Sequence, residues 1–399
     1  MLNFLLYIIE LILLVYMVFN VSYVAIYAIS AFFYTKTNFN VEVKKHNRFA
    51  LLIPAYKSDE VIINTASESL KQDYPADQFE IIVIADQVKQ STIDVLLKLP
   101  IKVIPVTFEE STKAKSLNAA LAVLPENYDY SIIIDVDNVM EYDFLKKMNI
   151  RLQNDEVVLQ GHRTAKNLNT TFAVLDGLSE ELNNQIFRKG HVAIGVSAAL
   201  SGSGAAMKYG YFKELMSDIH SPVEDKELEM VLLKEKIKIY YENDALIYDE
   251  KVQSSAVFIN QRRRWIASQF FDFNHVVFEG AYQLIRYSNF DYFDKTLQKI
   301  VLPRVLLYGV SLLLALTVFF DVFHFGDLFL ALFLICTFSY LICIPVRYFN
   351  VKTFKAAFHI PQAFALMVLA LFKSKGAATK KFIHTPHDFV KANNDKENS

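Results

Sequence analysis

Apolar residues crowd both ends of this chain, while its middle alternates short apolar runs with stretches of helical spacing. From Met1 to Phe33 the only charged side chain is Glu10. A bilayer core takes roughly 20 apolar residues in a helix, so this run predicts a transmembrane helix over 1–35. A cleaved signal peptide is the plain alternative, but the run has no basic start, is too long and closes on no A-x-A site. Toward the other end, VLLYGVSLLLALTVFF (305–320) and LFLALFLICTFSYLICIPV (328–346) predict a transmembrane hairpin over 301–347. A third run, AAFHIPQAFALMVLALF (356–372), is short and carries His359, Pro361 and Gln362. Basic residues flank it on both sides, so the region 355–373 reads as a helix lying in the interface, with a third span as the alternative. The aromatic, amphipathic stretch 276–300 predicts a second interfacial segment before the hairpin.

Charge sets the orientation. The turn DVFHFGD (321–327) holds no Lys or Arg, whereas Lys299 and Arg304 precede the hairpin and Arg347, Lys352 and Lys355 follow it. Positive residues mark the cytoplasmic side of short loops, so the turn faces out and both flanks face in. Lys36 places the middle of the chain inside as well. The expectation is a multi-pass protein of the inner or plasma membrane with a cytoplasmic middle domain. A net charge of -2 with no basic stripe argues against nucleic acid as a partner. Cys336 and Cys343 share one apolar run, so no disulfide framework is implied.

Between the membrane ends, 46–275 alternates strand-like and helix-like segments. RFALLIPAY, FEIIVIAD, IKVIPVTF and YSIIIDVDN read as strands; DEVIINTASESLKQ, STIDVLLKLP and KAKSLNAALAVL read as helices. This order predicts an α/β domain with a mostly parallel sheet and helices on both faces. Ligands of such sheets bind at the carboxyl ends of the strands, where Tyr56, Asp86, Asp135 and Asp137 fall. Residues two apart in a strand point the same way, so Asp135 and Asp137 are expected on one side. Two adjacent carboxylates repel unless a cation sits between them, and Mg²⁺ or Mn²⁺ with substrate phosphates is a common answer. Taken alone, D-x-D reads equally as a solvated turn of acids.

No G-x-x-x-x-G-K-S/T and no strand-following G-x-G-x-x-G is present, which argues against a P-loop or dinucleotide fold. Gly202 and Gly204, in ALSGSGAAMKYG, suit close backbone approach to a ligand or a flexible turn. Glu224 and Asp225 open a helix-like run after Ser221 and Pro222, where acids are ordinary partners of the helix dipole. His162, His191 and His220 show no paired metal-ligand spacing and read as structural or surface residues.

Taken in order, IPAY (53–56), IAD (84–86), DVD (135–137), GSG (202–204), VED (223–225) and Q-x-x-R-W (Gln261, Arg264, Trp265) resemble the motif series of membrane-bound family 2 glycosyltransferases. That group includes cellulose, chitin, hyaluronan and poly-N-acetylglucosamine synthases, and the likeness covers about residues 48–270. The resemblance implies a GT-A domain flanked by transmembrane helices and inverting transfer from a nucleotide sugar, usually UDP-linked. It further implies that Tyr56 and Asp86 lie near the nucleobase, with Lys113 matching the lysine of G-K-x-x-A-L-N. Asp135 and Asp137 match the D-x-D, Asp137 as the direct metal ligand, and Asp225 matches the general base of T-E-D. Gly202, Ser203, Gly204 and Glu224 fall with Gln261, Arg264 and Trp265 at the diphosphate and acceptor site. Lys57 and Ser58 replace an amide and an acid of the family's P-A-x-N-E-E, Thr112 replaces a glycine, and Val223 replaces a threonine.

The chemistry calls for these residue types. Displacing a nucleoside diphosphate from an anomeric carbon builds negative charge on the leaving phosphate, which a divalent cation and a guanidinium such as Arg264 neutralise. The single indole, Trp265, offers an apolar platform for an acceptor sugar; Arg262 and Arg263 read as solvated or as contacts to anionic lipid headgroups. In the tail, 374–399, KKFIHTPH (380–387) partly resembles the gating loop of cellulose-synthase-like enzymes, a charged tail being the alternative. Three functions fit the chain: a polysaccharide-forming β-glycosyltransferase, a transferase of one sugar to a lipid acceptor, or a non-catalytic binder of glycans or nucleotide sugars. About three spans form a poor closed conduit for an extruded polymer unless an oligomer or partner subunit completes it.

Overall fold

The computed structural model describes residues 2–221, 223–253, 261, 273–320 and 322–373. These residues divide into two compact units. The first comprises Thr35–Leu168 and Ser197–Lys251; the second draws on Met1–Tyr34, Asn169–Val196 and Val252–Lys380.

The first unit is built on an eight-stranded sheet of order β3-β2-β1-β4-β7-β6-β8-β5. Its strands are β1 (Phe49–Tyr56), β2 (Phe79–Asp86), β3 (Lys102–Val106), β4 (Tyr130–Ile133), β5 (Val139–Met140), β6 (Val158–Ala165), β7 (Ala205–Lys208) and β8 (Ile239–Asp249). The expected parallel arrangement holds from β3 through β4. Beyond β4 the sheet is mixed, because β7 enters antiparallel to both β4 and β6, and β5 antiparallel to β8; β6 and β8 run parallel. β1 and β2 read as continuous apolar runs because both of their faces are covered. Phe49, Leu51, Ile53, Val83, Ile132 and Phe144 join in one core. Each such buried side chain contributes roughly 1.5–3 kcal/mol over its exposed state. The parallel register sets Tyr56, the last residue of β1, directly beside Asp86, the last of β2.

One expectation changes. β4 ends at Ile133, so Asp135 and Asp137 are not on the strand but in the turn after it, closed by a 3.0 Å bond from the Asn138 N–H to the Asp135 carbonyl. Strand alternation therefore does not set where their side chains point. The strand is cut short because its partner β7 begins only at Ala205, opposite Ile133.

In the second unit, Leu2–Ser30 forms one long helix. Phe4–Phe33 and Gly326–Cys343 are each long and apolar enough to cross a membrane. Two bent pairs, Phe290–Ile300 with Arg304–Phe320 and Val351–Ala357 with Ile360–Phe372, would raise that number to four if each were one span. Residues 169–196, which the sequence places inside the 46–275 domain, belong to this unit. They form the helix Thr171–Asn183, a π-helical turn over Asn184–Gly190 and a short helix His191–Ala193. Polar bonds hold this insertion. Arg304 donates to Ser179 at 2.8 Å, Arg347 pairs with Glu181 at 2.5 Å, and buried His191 meets Asp294 at 3.0 Å. Gly190 is required here, since a Cβ would fall 2.1 Å from the Tyr27 carbonyl oxygen. The region read as interfacial, 276–300, falls on the helices Phe273–Tyr287 and Phe290–Ile300, the first exposing Phe278 and Ile285.

Candidate active site at the carboxyl ends of the strands

Asp86 is 1% exposed, and among the described residues neither carboxylate oxygen has a partner at good hydrogen-bond geometry. Burial pushes its carboxyl above the usual aspartate value, with the Ser111 hydroxyl and the Lys57 ammonium offsetting part of that cost. Two residues beside it adopt left-handed backbone without being glycine: Lys57 at φ 49° and Gln87 at φ 54°. Lys57 donates its N–H to the Asp86 carbonyl at 3.1 Å, which locks the two strand ends together. Strain of this kind, roughly 1–3 kcal/mol per residue, persists where the surroundings enforce it and clusters at functional sites.

Lys113 opens the helix Lys113–Val123. Its ammonium donates to Asp135 at 2.6 Å and to the Gly202 carbonyl at 2.7 Å, and pairs with Glu224 at 3.2 Å. One side chain thus joins three motifs that lie far apart in sequence. Burial works against its charge, but Asp135, Glu224 and Asp225 outweigh that and hold it above the usual lysine range. Glu224 is raised by its own burial, with Lys113 opposing and Asp225 and Asp135 adding to the shift. Thr112 shows why this chain needs no glycine before the lysine. It caps the helix in extended conformation, accepting from the Lys115 N–H at 3.2 Å.

Asp225 lies in the first turn of the helix Glu224–Lys234. Its Oδ1 accepts from the Lys226 N–H at 2.9 Å, and its Oδ2 lies 3.7 Å from the point a Gly202 Cβ would occupy. Val223 precedes the helix without a side-chain cap, and its own N–H donates to the Ser221 hydroxyl at 3.2 Å. In the GSG segment, Gly204 has φ +75°, and a Cβ there would fall 2.9 Å from Ile247 Cγ2. Its backbone freedom serves packing within the protein. Ser203 is fully buried, and its hydroxyl accepts from the Asp135 N–H at 3.0 Å.

Sequence reasoning missed a second polar group beside the D-x-D. Asp249 ends β8, where Arg163 reaches it at 2.8 Å and Lys251 at 2.7 Å. Burial raises its carboxyl; Arg163 and Lys251 oppose that shift and Asp137 adds to it. The signal was legible, since β2 and β8 both end on an aspartate. Among the described residues no three His, Cys, Asp or Glu converge as a metal cage. Asp135 and Asp137 are the carboxylates that could hold a hard divalent cation, one that takes its other ligands from phosphate oxygens and water. Gln261 is described and half-buried, whereas Arg264 and Trp265 lie outside the described residues, as does the whole of 374–399.

Asp86 ends β2, Asp135 follows β4, and Lys113, Glu224 and Asp225 open helices of an α/β domain with a half-parallel sheet. The sequence profile described as "Glycosyltransferase like family 2" matches residues 46–268, more than half of the chain, and the chain belongs to that family. It is 26% identical over 237 residues to the probable glycosyltransferase YdaM of Bacillus subtilis (strain 168), a match covering 56% of this chain and 55% of YdaM. The chain thus spans about half the length of that relative. Among solved structures it resembles the mannosyltransferase PcManGT of Pyrobaculum calidifontis, in complex with GDP-Man and Mn²⁺. The TM-score is 0.57 at 14% identity, over 92% of this chain and 99% of that one. The likeness is one of fold, and it identifies the GT-A architecture expected from the motifs.

Proposed function

We propose that this chain moves a sugar from a nucleotide donor, UDP-linked, to a glycan acceptor with inversion to a β-linkage, in polysaccharide biosynthesis at a membrane. The observation that carries the reading is the Lys113 ammonium, which gathers Asp135, the Gly202 carbonyl and Glu224 beside Asp225. Buried Asp86 accepts N–H bonds from the nucleobase, and Tyr56 lies next to it in register. Asp137 and Asp135 would hold Mg²⁺ or Mn²⁺, which would supply positive charge to the donor diphosphate. Asp225 takes the proton of the acceptor hydroxyl as the acceptor oxygen bonds to the anomeric carbon. The bond from that carbon to phosphate breaks, and the nucleoside diphosphate leaves with the electron pair. Gln261, Arg264 and Trp265 serve the diphosphate and the acceptor.

The membrane unit supports a second reading. Among the described residues two helices qualify as spans by themselves; transfer of one sugar to a lipid-linked acceptor needs no conduit, whereas a growing polymer needs an oligomer or partner subunit. Both readings place the protein in the inner or plasma membrane, against lipid, with the first unit in the cytoplasm. Detergent-purified protein given UDP-, GDP- and dTDP-sugars with Mg²⁺ or Mn²⁺ should release nucleotide from one donor, and Asp137→Ala should not. Absence of both release and donor binding across the panel would overturn the assignment. Product length on lipid and oligosaccharide acceptors separates polymer from single transfer.

A further inference from the structure

We infer that Asn138 is the positioning residue of the metal site, acting through Asp137; the inference rests on the reading of Asp137 as a metal ligand. Asn138 is fully buried immediately after the D-x-D. Its side-chain amide satisfies all its neighbours in one orientation. The nitrogen donates to Asp137 Oδ1 at 3.2 Å and to Asp249 Oδ1 at 3.0 Å, and the oxygen accepts from the Ser203 hydroxyl at 2.7 Å. Both amide hydrogens are thereby committed to carboxylates.

Each end of this bridge is fixed by other groups. Asp249 turns its second oxygen to two cations, Arg163 at 2.8 Å and Lys251 at 2.7 Å, so it cannot swing toward the metal position. Arg163 is itself steadied by donating to the Ser201 hydroxyl at 3.2 Å. Ser203 accepts the Asp135 N–H, so the same hydroxyl that orients the Asn138 amide also holds the backbone of the first aspartate. Gln160 secures the loop behind them, donating to the Ser203 carbonyl at 3.1 Å and accepting from the Ser201 N–H at 2.8 Å.

The consequence for Asp137 is directional. One oxygen accepts from the amide, which fixes the plane of the carboxylate. The amide carries no charge, so it orients the carboxylate without competing for it as a lysine would. A residue at Asp137 that must bind a cation with few other protein ligands gains from having its rotamer fixed in advance. Asp249, its charge offset by two cations, supplies the anchor without adding a third anion to the site.

The test is Mn²⁺ affinity of the full-length protein in detergent, read from the electron paramagnetic resonance of free Mn²⁺, with UDP and separately with GDP present. Asn138→Ala is expected to weaken Mn²⁺ by about 10- to 100-fold, the usual cost of losing a partner behind a metal ligand. Affinity for the nucleotide without metal should stay within about twofold, a split that general loss of structure would not give. Should Asn138→Ala fail to fold, Asn138→Ser keeps a polar side chain too short to bridge Asp137 and Asp249, and a loss of the same sign is expected. Unchanged Mn²⁺ affinity in a folded variant, beside a wild type that binds, overturns the role of Asn138 alone. A wild type that binds no Mn²⁺ with either nucleotide overturns the metal-site reading, and this inference with it.

Discussion

Lys113 donates to Asp135 across 2.6 Å, and the same ammonium reaches buried Glu224 at 3.2 Å. Removing it leaves a buried carboxylate without its cation, which costs about 3–5 kcal/mol. Lys113→Met should therefore lower the melting temperature strongly at pH 7 and much less near pH 4.5. The sign follows from Glu224, whose folded value lies above its ordinary 4.5. Folding then favours the protonated form, and stability falls as pH rises from the ordinary value through the raised one. A pH-independent loss in thermal melting would contradict this.

Asp86 bears a desolvation cost that the Ser111 hydroxyl and the Lys57 ammonium offset only in part, as expected of a residue kept for a ligand. Asp86→Asn should leave stability unchanged or raise it, while weakening UDP by about tenfold, or ~1.4 kcal/mol. Calorimetric binding and melting on the same sample check both halves. Unchanged nucleotide affinity would remove Asp86 from the site.

Glu156 gives a separate pH signature. Burial raises its carboxyl to about 7, with Arg151 opposing and Glu242 adding. A raised carboxyl costs stability as pH climbs, here between its ordinary 4.5 and about 7. Glu156→Gln should flatten that decline, gaining on the order of 1–3 kcal/mol at pH 8 relative to pH 4.5. Parallel profiles for wild type and variant would refute it.

Gly204→Ala must place a methyl 2.9 Å from Ile247 at φ +75°. About 1–3 kcal/mol of stability should be lost. Because Ser203 precedes it, metal affinity should fall as well. Gly210→Ala, with open space at its Cβ, is the control.

The sequence displayed much of this domain, because its strands are buried on both faces and so read as continuous apolar runs ending in acids. Tyr56 and Asp86 could be placed at strand ends from that pattern alone, and Lys113, Glu224 and Asp225 through the motif resemblance. The turn that carries Asp135 and Asp137 could not be read, since the length of β4 depends on where β7 meets it. Residues 169–196 were hidden for another reason. Their polar side chains, Ser179, Glu181 and His191, look like those of a cytoplasmic helix, yet their partners are Arg304, Arg347 and Asp294, far along the chain in the same unit. Asn138 and Arg163 carry no local signal, because their meaning comes from Asp249, far along the chain.

The central claim is that Asp225 acts as the base of sugar transfer, and the most direct measurement is the turnover of Asp225→Asn on the donor that wild type uses, beside its affinity for that donor. The asparagine keeps the shape and loses the proton acceptor. Transfer should fall by about 10²- to 10⁴-fold, with donor affinity within about threefold of wild type. Turnover within tenfold of wild type, at equal donor affinity, would contradict the account.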